Sequence, residues 1–460
     1  MPALNHLNSQ DVDPWIRELI CYISLARLDS EAEKKNVQTL AKNIQDWTSF
    51  FDLVEFNAVG VIAYCRLHDL RGTGLGFLFE SRMEILNQRI EPALDRSKKQ
   101  LQMLPQILDE MSKRGIEVIV LKGALLAFTL YDHPVYKKMN DLDLLVKFDQ
   151  APQAAEVLRD LGFQRLDSIF VKTEFSEQTH HSPPYIHWDH QCVVGLHWGL
   201  HSKRLPWRIN TEEVWERKVP CTLNGAPAYR MSWEDNLLHL CIHLPFYKTG
   251  LRELADIFNL ARYCNPGINW DSVLVRAKEW NAYDPVYRSL TLAHALVPLH
   301  QNASVLDRVF RELRPFCARF CLSETHRRAG SIERLLRSRS TYVAKIEKSC
   351  LVFRCSDNYL EKTSAWFKTW SLTFLPPPSE IVRIGFITSK NPIALFLVGR
   401  FWVPFLILRA LAKEHGVLGL IWITLDNIRI QWVNTVTLSF LKRSPRLRQS
   451  KFGKLLEVLE

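Results

Sequence analysis

Val118-Ile-Val-Leu-Lys122-Gly123 and, a short way downstream, Met139-Asn-Asp141-Leu-Asp143-Leu-Leu-Val146 are two apolar strands, each joined to polar groups suited to polyphosphate and metal. Side chains alternate along a strand, so Asp141 and Asp143 share a face and sit close enough to share one cation. Gly123 falls where the first strand gives way to the helical run Ala124 to Leu130, a place where backbone N–H groups can meet an anion. A D-x-D alone also describes an ordinary solvated strand start. The upstream Lys122-Gly123 turns it into a candidate site.

Around this pair the chain reads as a small α/β module from about 113 to 230. Strand Val118–Leu121 leads to a helix from Ala124, then a loop through Asp132-His-Pro134 and a strand from Leu142 to Val146. A helix from Gln150 to Leu161 and the strand-like Cys192-Val-Val-Gly-Leu-His-Trp198 follow. Short strands joined by short helices imply a small sheet covered by helices.

Both flanks are helical. Residues 1–112 carry Trp15, Leu19, Ile20 and Ile23 on one helix face, and the pattern returns at Phe51 to Leu70 and Met83 to Met111. A Gly-x-Gly-x-Gly string within 71–76 has no strand before it, which argues for a loop between helices and against a dinucleotide turn. Residues 231–375 begin with Ser232-Trp-Glu-Asp235, a helix-capping pattern, and continue through Leu251 to Tyr263 and Trp270 to Trp280. Pro376-Pro-Pro-Ser379 opens a last, hydrophobic and basic segment, 376–460. The expected fold class is therefore α+β, a small mixed-sheet core with helical regions on either side.

The chain has 460 residues, 47% hydrophobic and 23% charged, and a net charge of +10. This composition is that of a globular protein with anionic partners, not of a disordered one. Ten scattered cysteines and an opening without a basic, then apolar leader suggest a reduced, cytoplasmic protein. The apolar run from Pro392 to Leu408 is broken by Arg400 and Pro404, too short and interrupted for a membrane span. With the basic Leu441-Lys-Arg-Ser-Pro-Arg-Leu-Arg448 behind it, this end suits peripheral membrane contact or a helical subdomain packed on the rest.

Leu121-Lys122-Gly123, Leu130-Tyr131, a basic residue at Lys137, Asp141-Leu-Asp143, His180-His181 and Leu196-His197-Trp198 together resemble the uncharacterised nucleotidyltransferases of the polymerase-β-like superfamily. The resemblance extends upstream to Phe51-Asp-Leu-Val-Glu-Phe-Asn-Ala-Val-Gly60. Downstream it takes in Asn236 to His243 and Leu251-Arg-Glu-Leu-Ala-Asp256. It implies transfer of a nucleotidyl group from an NTP to an acceptor hydroxyl of a small molecule, sugar, peptide or protein, with Mg2+ or Mn2+ as cofactor. A natural-product or polysaccharide intermediate is the acceptor that the resemblance suggests.

The same resemblance assigns roles. Asp141 and Asp143 become the catalytic metal ligands, while Lys122 and Gly123 take the place of the superfamily's Gly-Ser pair beside the phosphates. Lys137 and Lys138 stand where the family has an arginine, and as lysines they grip phosphate without a bidentate fork; exposed loop lysines are the other reading. His197, with Trp198, either orients a carboxylate or base or is a packing pair. Asp141 and Asp143 are expected to be exposed and mutually repelling, so that asparagine at both positions leaves folding intact.

The third carboxylate of such sites is expected two places before His197, where this chain has Gly195. Asp189 lies six residues away, about 20 Å along a continuous strand, and Glu174 is more distant. A catalytically degenerate fold that binds nucleotide or a partner is therefore the alternative function. A nucleic-acid-modifying transferase ranks third, because no aromatics recur among the basic residues. The histidines from His180 to His190 lack the spacing of known zinc sites, and Cys317 and Cys321, spaced to share a helix face near His326, have no second ligand pair. His239 and His243 read as core or supporting histidines rather than a metalloprotease pair.

Overall fold

The computed structural model describes residues 13–296 apart from 71–76, 167–173, 178, 202–206, 245–250 and 265–266, together with 308–309 and 312. The expected loop at 71–76, the Cys317/Cys321 pair and the whole segment from 376 lie outside the described residues.

Five helices come first: α1 (Pro14–Ile23), α2 (Glu31–Asn43), α3 (Trp47–Phe56), α4 (Gly60–Asp69) and the long α5 (Phe77–Lys113). The starts of α1, α2 and α3 are set by short polar side chains. Asp13, Ser30 and Asp46 each accept a hydrogen bond from a backbone N–H of the following turn, satisfying donors that a helix leaves unpaired. The sheet-bearing region supplies β1 (Ile119–Val120), α6 (Lys122–Thr129), a 3-10 turn Pro134–Tyr136, β2 (Leu142–Leu145), α7 (Ala151–Asp160), β3 (Gln164–Arg165), β4 (Tyr185–His187) and β5 (Cys192–His197). After α8 (Thr211–Glu216) come β6 (Val219–Leu223) and β7 (Ala226–Arg230). Helices α9 (Trp233–His243), α10 (Leu251–Tyr263), α11 (Trp270–Glu279) and α12 (Tyr283–Leu296) complete the described chain. Ser232 caps α9 through the Asp235 N–H, 3.1 Å away, as its sequence pattern predicts.

The seven strands form one mixed sheet in the order β3-β4-β5-β2-β1-β7-β6. At its centre β2 runs parallel to β5 and antiparallel to β1. The α+β class expected from the sequence is thus the observed one.

Alternation along the central strands assigns each face to a different core. Val120, Leu142, Leu144, Val194 and Leu196 pack with the second half of α5 and with α7. Ile119, Leu121 and Leu145 point the other way, into a core shared by the N-terminal helices and α9 to α12. Asp143 and His197 are on this second face. The site therefore looks at helices from both ends of the described chain.

Asn259 of α10 stitches those ends together. Its Oδ1 accepts from the Ala26 N–H at 2.8 Å and its Nδ2 donates to the Ser24 carbonyl at 3.0 Å, in a fully buried setting. Asn259→Ala would strand two buried backbone groups and is expected to cost about 2 kcal/mol, read by chemical denaturation. Among the described residues no helix is long and apolar enough to cross a membrane, and the described cysteines are all free.

Candidate functional site

The chemistry gathers where β1, β2 and β5 meet. Asp143 stands on β2 opposite Gly195 of β5, and His197 follows two residues on, opposite Leu145. The Leu121 N–H donates to the Asp143 carbonyl at 3.0 Å, which fixes the end of β1 beside β2. Lys122 comes next, at the first residue of α6, with φ +48°. A non-glycine residue in the left-handed region carries strain of about 1–2 kcal/mol. Here that conformation accompanies the turn of the Lys122 ammonium back over the sheet.

Asp143 is almost fully buried, with both oxygens occupied. Lys122 Nζ donates to Oδ2 at 2.9 Å and His197 Nε2 donates to Oδ1 at 2.9 Å. Burial alone would raise this carboxyl, but Lys122 and His197 hold it well below the usual carboxylate range. The His197 imidazole is pushed the other way, down, chiefly by burial, so it stays neutral with its proton on Nε2. Its Nδ1 is buried and receives no hydrogen bond.

Asp141 keeps an exposed edge. Its carboxyl is nevertheless pushed up to about 7, first by the protein mass around it and then by Asp143, against the pull of Lys122 and Arg252. Folded Asp141 therefore holds its proton to higher pH than in the unfolded chain, where it ionises near pH 4. The sign is that native stability falls as pH rises from about 4 to about 7. Asp141→Asn should remove that slope and stabilise the metal-free protein at neutral pH by about 1 kcal/mol, a small figure because solvent screens the group. Urea titrations at pH 5 and pH 8 would check it.

Gly195 closes the arrangement. A Cβ at this position would lie 2.7 Å from Asp143 Oδ1 and 3.0 Å from His197 Nε2. The Asp143–His197 hydrogen bond thus passes over the glycine and fills the space that a third carboxylate would enter. Neither sequence alternative replaces it. Glu174 is engaged by Arg159, Arg165 and the Tyr185 hydroxyl, and Asp189 is exposed in the turn between β4 and β5. Among the described residues no three His, Cys, Asp or Glu side chains are gathered in a way that could hold a metal ion.

Lys137 does not stand as an open loop lysine. It is buried, and its Nζ makes a 2.8 Å ion pair with Asp256 of α10, to which the Tyr131 hydroxyl also donates. Lys138 is half-buried beside it. Gly123 lies close enough to this loop that a Cβ there would meet Met139 at 3.2 Å and the Lys137 Cε at 3.5 Å.

The basic residue that sequence reasoning passed over is Arg252. Its Nη1 donates to Asn140 Oδ1 at 3.2 Å, next to Asp141. The Leu251-Arg-Glu-Leu-Ala-Asp256 stretch marks a helix, and only the packing of α10 on the Asn140 loop reveals which of its side chains reaches the site. His239 is buried and His243 half-buried in α9, as expected of supporting histidines, and desolvation lowers both imidazoles. Trp198 packs edge-on against Phe148 and donates from Nε1 to the Thr179 carbonyl.

The sequence model of a family described as an uncharacterised nucleotidyltransferase matches residues 43–298, more than half of the chain and all of the residues described above as the site. No curated protein and no solved structure matches the chain.

Proposed function

Because the chain belongs to this uncharacterised nucleotidyltransferase family, we propose that it moves a nucleotidyl group from an NTP to an acceptor hydroxyl of a small molecule, sugar, peptide or protein. The observation that carries the reading is Asp143, held between Lys122 and His197 with Asp141 on the same strand face. In the reaction the acceptor oxygen bonds to the α-phosphorus as the bond to pyrophosphate breaks.

A Mg2+ or Mn2+ ion fits this pair. Magnesium in nucleotide enzymes is usually held by one or two carboxylates plus the substrate's own phosphates, not by an all-protein cage. Two carboxylates on one face, with Asp141 raised to about 7 first by desolvation and then by Asp143, are a site whose charge a hard dication relieves. When bound, the ion neutralises charge on the pyrophosphate and lowers the cost of deprotonating the acceptor hydroxyl. Asp141 and Asp143 would be its protein ligands.

The remaining groups position and compensate. Lys122, now neutralising Asp143, supplies an ammonium for the β- and γ-phosphates, and Gly123 lets the backbone approach them. His197 orients Asp143 through its Nε2–H. Lys137 supports the loop through Asp256, leaving Lys138 as the phosphate-facing lysine of the pair.

Gly195 favours a second reading, a degenerate fold that binds nucleotide without transfer. Incubating the purified protein with each α-phosphate-labelled NTP, Mg2+ or Mn2+ and a lysate separates the two. Metal-dependent label on an acceptor is the expected result. Nucleotide binding without label supports the degenerate reading, and absence of both sinks the proposal.

A further inference from the structure

His180 and His181 lie just before β4, where the chain already runs alongside β5. The Ser182 N–H donates to the Leu196 carbonyl at 2.9 Å, and the Trp198 N–H donates to the His180 carbonyl at 3.0 Å. These bonds extend the contact between β4 and β5 and set His181 opposite His197 in an antiparallel bridge. Residues paired in this way project from the same face of a sheet. His181 therefore shares the face of His197 and Asp143, and its imidazole ring is 5.2 Å from that of His197.

Of the three histidines that meet here, one is both accessible and in the right tautomer to take up a proton. His181 Nδ1 lies 2.7 Å from the Ser182 carbonyl. A carbonyl only accepts, so Nδ1 carries the proton and Nε2 is the bare nitrogen. The residue is exposed, and Nε2 has no hydrogen-bond partner among the described residues. His197 is the opposite case, with its Nε2–H engaged by Asp143 and its bare Nδ1 buried. His180 packs edge-on against His181, with ring centroids 4.2 Å apart. Burial first, and then the His181 imidazole, pushes His180 down to about 3, so it accepts a proton poorly.

The geometry points to His181 as the general base that deprotonates the acceptor hydroxyl, on the side of the site where Gly195 supplies no carboxylate. In an in-line displacement the attacking and leaving oxygens lie on opposite sides of the phosphorus. The sheet order sets β1, β2, β5 and β4 side by side. With pyrophosphate leaving over the Lys122-Gly123 turn at the end of β1, the acceptor arrives over β5 and meets His181. This direction of approach rests on the nucleotidyl-transfer reading. The hydroxyl gives its proton to Nε2 while its oxygen bonds to the α-phosphorus. The bond from phosphorus to the pyrophosphate oxygen breaks, and pyrophosphate leaves with the electron pair. The exposed imidazolium then releases its proton to water, and the Ser182 carbonyl holds the ring in place throughout.

The test measures metal-dependent transfer of label from each α-phosphate-labelled NTP into a lysate, for the full-length wild type, His181→Gln and His181→Ala. Calorimetry with each NTP and Mg2+ reads nucleotide affinity, and a thermal melt verifies that each variant is folded. Both variants should keep NTP affinity within about twofold. Both should lose transfer about 100-fold or more, the usual share of a positioned acid-base group. Free imidazole should restore His181→Ala about tenfold and leave His181→Gln unimproved, because only alanine vacates the place of the ring. A purely structural ring would show no such rescue. Transfer within about threefold of wild type in both variants, or no rescue by imidazole, overturns the base and leaves nucleotidyl transfer standing. A loss of NTP affinity in step with transfer overturns it as well. A wild type that labels nothing with any NTP sinks the transfer reading, and this base with it.

Discussion

Asp143→Asn lowers nucleotidyl transfer on the order of 1000-fold, about 4 kcal/mol of transition-state stabilisation, and destabilises the metal-free protein as well. The two effects have one cause. Asp143 is buried and gives one oxygen to Lys122 and the other to His197. Asparagine keeps the shape but turns one oxygen into an NH2 donor, which must face either the ammonium or the imidazole N–H. A donor then meets a donor, and the Lys122 charge loses its partner in a largely buried place. The expected cost is about 2–4 kcal/mol. Since the folded Asp143 carboxyl sits well below its ordinary value, this stabilisation is present above about pH 4 and is lost as pH falls further. The stability gap between wild type and Asp143→Asn should therefore shrink in acid. Asp141→Asn makes the contrast, losing transfer while gaining stability at neutral pH. If Asp143→Asn kept transfer within tenfold of wild type while losing stability, Asp143 would be a structural residue and the site assignment would be wrong.

That contrast also corrects an expectation. From the sequence, the two aspartates look equivalent, exposed and mutually repelling. The alternation of β2 does place them on one face, and that much was legible. What alternation does not reveal is depth along the strand. Asp141 precedes β2 and keeps an exposed edge, whereas Asp143 is inside the sheet, where the left-handed Lys122 and the neighbouring β5 close over it.

The same limit explains the rest of the site. Leu-Lys-Gly, Asp-x-Asp and Leu-His-Trp located β1, β2 and β5, because apolar runs ending in polar groups are local signals. The family resemblance puts Lys137 beside the site, yet its direction is set by Asp256 over a hundred residues away. Arg252 belongs to the same class of long-range pairing. The β6–β7 hairpin was missed for a different reason. Its turn, Asn224-Gly225, has φ +51° and +88°, the left-handed pair for which Asn-Gly is the strongest two-residue signal. Pro220 and Pro227 sit in those strands and mask the alternation; Pro220 is tolerated because β6 is the edge of the sheet, and Pro227 because β7 pairs with β1 only further along, at Tyr229.

Gly195→Asp is the second large expectation, and its paired control is Gly195→Ala. The alanine methyl alone would sit 2.7 Å from Asp143 Oδ1 and 3.0 Å from His197 Nε2. Both atoms belong to side chains that can move, but moving either breaks the Asp143–His197 hydrogen bond. Gly195→Ala should therefore cost about 2 kcal/mol, the value of a buried hydrogen bond to a charged group. Aspartate adds to that a third negative charge beside two carboxylates, and without metal it should cost roughly 1–2 kcal/mol more. Saturating Mg2+ or Mn2+ reverses the order. A dication bound by the native state alone stabilises in proportion to the logarithm of its occupancy, and three carboxylates bind it more tightly than two. Metal should consequently raise the unfolding midpoint of Gly195→Asp well beyond that of Gly195→Ala. The midpoints, measured with metal and with chelator, report on the site without requiring an acceptor or any turnover. Equal metal shifts in the two variants would mean that position 195 does not face the ion, and that the glycine replaces no ligand. A larger shift in the aspartate variant would mean that the Asp143–His197 bond occupies a vacated carboxylate position, so that the wild-type protein grips its metal mainly through the nucleotide it carries.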